Sequence, residues 1–73
     1  MLFQDKSIQT AIYNQLIKQT AECISWSSVE GVSLNQIRYR LLATKQKAEQ
    51  AGLPLEIIRL ALQIGEYEAQ FGN

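Results

Sequence analysis

The segment LEIIRLALQIGEYEAQF, residues 55–71, decides how this chain has to fold. On a wheel of 3.6 residues per turn, its apolar side chains cover about two-thirds of the circumference. Leu55, Ile58, Leu62, Gly65 and Ala69 form one stripe. Ile57, Leu60, Ile64, Tyr67 and Phe71 form another, with Ala61 between the two. Glu56, Arg59, Gln63, Glu66 and Gln70 make the contiguous wet strip, and Glu68 is a lone charge inside the apolar arc. A helix apolar on two sides has to be covered on two sides. One small core supplies one cover, so the second has to come from another molecule.

Upstream of this segment, Gly52, Leu53 and Pro54 punctuate the chain. Gly52 suits the left-handed position that ends a helix, and Leu53 can fold back on Ala48 as the accompanying contact. Pro54 fits the first turn of the helix that follows, where Glu56 meets the positive end of the dipole. The helix before the turn starts at Ser33, an N-cap with Gln36 three residues on as a capping box and Val32 stapled to Ile37. Leu34, Ile37, Leu41, Thr44, Ala48 and Ala51 then fall on one narrow stripe spaced like a short coiled-coil seam. The first helix runs from about Lys6 to Ser25, capped by Asp5 or Ser7. Its apolar arc holds Ile12, Tyr13, Leu16, Ile17, Cys23 and Ile24, against a wet side of Thr10, Asn14, Lys18, Glu22 and Ser25. Residues 27–31 break the periodicity and read as a loop. Alternation of period two never lasts, so no strand competes. The sequence predicts an all-α fold: one domain over residues 1–73, a compact three-helix bundle with its second turn at Gly52.

Seventy-three residues bury only roughly 60% of the surface their unfolded form exposes, which leaves stability marginal. Chains of this size usually need disulfides, a metal or oligomerisation as support. Cys23 is the only cysteine and there is no histidine, so neither an intrachain disulfide nor the usual zinc ligand set can form. Oligomerisation is the remaining support. No metal or other cofactor is expected.

Formal charge is zero, which argues against a general nucleic-acid coat or a polybasic membrane binder. No apolar run approaches the ~18 residues of a membrane span. The start, MLFQDKSIQ, lacks the pattern of a signal peptide. With one free thiol, a cytoplasmic protein is the expectation. The charges are nevertheless unevenly spread. Residues 31–53 hold four cations against Glu49, a local +3, and the last twenty residues hold three glutamates against Arg59, a local −2. Arg38 with Lys45 and Arg40 with Lys47 straddle the seam of the second helix, as charges that set pairing do in coiled coils. Glu66 and Glu68 are their plausible opposite numbers.

The run from Lys47 through Gly52 and Leu53 to Ala61 resembles the bacterial helix-turn-helix motif. Ala48 is the small residue of the first helix, Gly52 the glycine four later, Leu53 the next apolar residue and Ile58 the aliphatic six after the glycine. The resemblance covers about twenty residues and implies a recognition helix in the major groove. Arg59 and Gln63 would be its nucleic-acid contacts. The remaining early positions depart from that chemistry: Leu55 and Leu60 are apolar, and Glu56 would face phosphates.

Catalysis has little to stand on. Without histidine there is no ready base near neutral pH, and Glu66 and Glu68 point in nearly opposite directions. No nucleophile elbow, phosphate loop or metal-ligand cluster is present in the sequence. Cys23 reads as a buried, inert thiol. Trp26 is expected to close one end of the core, while Tyr39 reads equally as a docking anchor or a half-buried ring.

These residues point to a non-enzymatic protein–protein interaction or regulatory protein, an adaptor acting as a symmetric dimer. Ile57, Leu60, Ile64, Tyr67 and Phe71 form its interface. The partner is a second copy or another protein; no small-molecule substrate is implied. The alternative is a helix-turn-helix transcriptional regulator.

Overall fold

A computed structural model describes residues 6–27, 31 and 33–71. They form three α-helices: α1 (Lys6–Trp26), α2 (Leu34–Gln50) and α3 (Leu55–Phe71). No strand occurs among the described residues. The bounds follow the sequence closely, α1 running one residue past its expected end. Ser7 lies inside α1 rather than ahead of it, and Asp5 and Val32, expected at helix starts, lie outside the described residues.

The middle element is α1. Both α2 and α3 pack along it, and they make few contacts with each other. The molecule is thin, with extents of 46 × 24 × 17 Å, and the buried apolar core among the described residues is correspondingly small. Ile12 and Leu16 of α1, Ala48 of α2, and Ile58 and Ala61 of α3 make it up. Tyr13, Ile17, Leu41, Ala51, Leu53 and Leu62 pack around them, partly buried. Each of the three larger aliphatics contributes about 1.5–3 kcal/mol by leaving water. So small a core leaves the lone protomer near the margin.

Polar residues enter this core by satisfying themselves locally. Thr20 and Thr44 are both buried, and each donates its hydroxyl to the carbonyl one turn back, Leu16 at 2.7 Å and Arg40 at 3.0 Å. Such bonds keep a threonine from leaving an unpaired group in apolar surroundings.

The chain reverses between α2 and α3 on a Schellman pattern. Gly52 takes φ +89°, the left-handed region that glycine enters without a Cβ clash. The Leu53 N–H donates to the Ala48 carbonyl at 3.0 Å and the Gly52 N–H to the Glu49 carbonyl at 3.1 Å. The Pro54 carbonyl then accepts from the N–H groups of Ile57 and Ile58, starting α3. Gln9 fastens the turn to α1 by donating its side-chain amide to the Ala51 carbonyl at 2.9 Å.

The start of α2 differs from expectation. Ser33 occupies the N-cap with extended backbone, but its side chain makes no capping hydrogen bond, and Gln36 is exposed. The capping box is therefore not formed; the cap is one of backbone conformation alone.

Gly65 explains how closely α3 approaches α1. A Cβ at that position would stand 2.5 Å from the Thr20 Cβ and 2.7 Å from the Ile17 carbonyl oxygen. No side chain fits between the two backbones there. The glycine in mid-helix thus serves contact within the chain, through the stripe Ile58, Ala61 and Gly65.

Candidate interaction surface

The stripe of α3 that contacts α1 is well covered, except at its start. Ile58, Ala61 and Gly65 are buried, and Leu62 and Ala69 are partly so. Leu55 belongs to this stripe by helical spacing, yet it is exposed in the first turn of α3.

The second stripe is open to solvent over most of its length. Leu60 is 44% exposed, Tyr67 64% and Phe71 70%. Ile57 and Ile64 lie at the edge of this patch, half-buried. The Tyr67 and Phe71 rings, one turn apart, are tilted against each other with centroids 4.9 Å apart. That contact gives the C-terminal part of the stripe a continuous aromatic surface. Near its other end, Ile57 helps line an open depression of about 300 Å³ with Lys6, Gln9, Thr10, Tyr13 and Leu53. Arg59 and Gln63 are both exposed on α3, off the stripe.

Another exposed patch lies on α2, at Tyr39, which the sequence alone reads as either anchor or half-buried ring, and at Leu42. Tyr39 is 73% exposed and Leu42 50%. Both fall on the side of α2 away from Thr44 and Ala48. Their signal was available: neither fits the 3-4-3-4 seam, and a leucine opposite a seam has no core to enter.

Trp26 does not close the core as expected. It is nearly half exposed at the end of α1 and lines a narrow cleft with Gln19, Glu22, Ile37 and Arg40. The cleft lies where α1 meets the start of α2, away from the central Leu16 cluster. The Gln19 side-chain oxygen is shielded from solvent and has no hydrogen-bond partner.

Cys23 is partly buried, and desolvation raises its thiol above the ordinary cysteine range. Nearby Arg38 pulls it down and Glu22 pushes it up, both by smaller amounts. The balance favours the protonated thiol, the unreactive form. Among the described residues, no group of three or more His, Cys, Asp or Glu side chains is placed to hold a metal. Nor is any described helix long and apolar enough to cross a membrane.

Comparison with protein-family models, curated proteins and solved structures finds no match to this chain. The functional reading therefore rests on the surface itself.

Proposed function

We propose that this is a small, non-enzymatic protein–protein interaction protein of adaptor or regulatory type. It self-associates through the outer stripe of α3, with a dimer as the smallest assembly and the cytoplasm as its compartment. One observation carries the reading: Leu60, Tyr67 and Phe71 stand in water on a helix whose other side already serves the core. A contiguous apolar patch of this kind marks an association surface on a small protein, and aromatic side chains are favoured anchors in such surfaces. The slight core adds weight, since burial of the stripe supplies apolar contact that the protomer lacks.

The test is sedimentation equilibrium of the wild type and of Leu60→Asp/Tyr67→Asp. Both residues are exposed, so the substitutions remove no core contact, and helical circular dichroism checks that the variant is folded. The expected result is an associating wild type and a monomeric variant. A variant that sediments as the wild type does would remove the stripe from the interface.

A second reading takes α3 as a DNA-recognition helix following the turn at Gly52. Its support is the buried Ala48 and Ile58 on either side of a left-handed Gly52, with Arg59 and Gln63 exposed on the next helix. It expects salt-sensitive binding to duplex DNA that weakens in Arg59→Ala. No binding to duplex at low salt would exclude it. The apolar stripe and the carboxylate of Glu56 at the start of α3 favour the first reading.

A further inference from the structure

The two helices that flank α1 carry opposite charge. On α2, Arg38, Arg40, Lys45 and Lys47 stand against Glu49; on α3, Glu56, Glu66 and Glu68 stand against Arg59. Because α2 and α3 make few contacts with each other, these opposite signs are not brought together within the protomer. Each helix also presents exposed apolar side chains, Tyr39 and Leu42 on α2 and Leu60, Tyr67 and Phe71 on α3. Helical spacing puts Arg38 and Lys45 on the Leu42 side of the α2 patch, with Glu49 between Arg38 and Leu42, and sets Arg40 and Lys47 farther round beyond Tyr39, Arg40 at the cleft that Glu22 of α1 also lines. On α3, Glu56 and Glu68 flank the stripe on its two sides. The α2 patch is flanked on balance by cations, with Glu49 as the exception, and the α3 stripe by carboxylates; opposite balances of this kind are complementary and help fix partner and register.

We propose that the α3 stripe of one copy is covered by the outer face of α2 from a second copy. Tyr39 and Leu42 meet Leu60, Tyr67 and Phe71, and the cations of α2 face Glu56 and Glu68. This rests on the self-association reading above and names the surface that the second copy supplies. The symmetric pairing of two α3 stripes expected from sequence brings two negative helices together, with Arg59 as the one cation on each. The α2–α3 contact joins unlike faces instead, a heterologous interface.

Charge exchange separates the two arrangements. One variant carries Arg38→Glu/Lys47→Glu, which makes α2 negative; the other carries Glu56→Lys/Glu68→Lys, which makes α3 positive. All four residues are exposed, and circular dichroism checks that both variants stay helical. Sedimentation equilibrium should show each variant alone associating at least about tenfold more weakly than the wild type. Mixed in equal amounts, they should recover association, because each then offers the other a face of opposite sign. Added salt should weaken the wild-type assembly, as screening of these charges requires. Wild-type association by the α2 variant alone overturns the α2–α3 contact and leaves α3 pairing with α3. Two weakened variants that fail to rescue each other also overturn it. A wild type that stays monomeric at every concentration overturns the self-association reading itself.

Discussion

Gly65 is the residue at which one missing atom sets how α1 and α3 pack. Replacing it with alanine gains about 1 kcal/mol of helix propensity. The added Cβ, however, meets a Cβ at 2.5 Å and a backbone carbonyl at 2.7 Å, neither of which is the mobile end of a side chain. Overpacking of this kind typically costs about 1–3 kcal/mol, so Gly65→Ala should lower stability in urea denaturation. Thr20→Ala should not rescue it, because the Cβ of residue 20 and the Ile17 carbonyl both remain. Cys23 gives a residue-scale prediction in pH. Its thiol is raised by burial, so the folded state holds its proton to higher pH than the unfolded state does. The associated stability is complete below the ordinary thiol value of 9.0 and is lost as pH rises past it toward the folded value. Thermal melts should show the wild type losing stability in that alkaline window, and Cys23→Ala losing less.

At the scale of elements, the two ends of α2 are held by different means. Its C-terminus has a full set of turn hydrogen bonds around a left-handed Gly52, whereas its N-terminus has Ser33 in place without a side-chain bond. Gly52→Ala should therefore cost about 1–2 kcal/mol, the penalty of a Cβ in the left-handed region. Ser33→Ala should fall below the ~0.5–2 kcal/mol usual for losing a serine cap. Urea midpoints of the two variants, compared at equal slope, give the contrast directly. If Ser33→Ala costs as much as Gly52→Ala, the hydroxyl caps the helix after all. Helix bounds were legible because period, glycine and proline are local signals. The capping bond was not, since a serine in the right place need not turn its hydroxyl onto the helix.

For the whole molecule, the balance lies between a slight core and a wide apolar perimeter. An assembly that binds the folded state but not the unfolded one raises stability by mass action. The melting temperature of the wild type should thus climb with protein concentration over about a hundredfold range, while that of Leu60→Asp/Tyr67→Asp stays flat. A concentration-independent wild type would leave the stripe without a role in stability. The exposure of Leu60, Tyr67 and Phe71 follows from the sequence, which placed more apolar surface on the last helix than α1 could cover. The positions of Leu55 and Trp26 relative to the core could not be read there. Each depends on where a neighbouring helix ends, and no local pattern carries that information. Three helices, their limits and the two-sided character of the third are already set by periodicity and by the conformational limits of glycine and proline. That α1 is the middle element, and that α2 and α3 hold their opposite charges apart, emerges from the packed fold alone. The reason is physical: helix arrangement is set by which backbones can approach most closely, as α1 and α3 do at Gly65, and that depends on contacts between residues far apart in the chain.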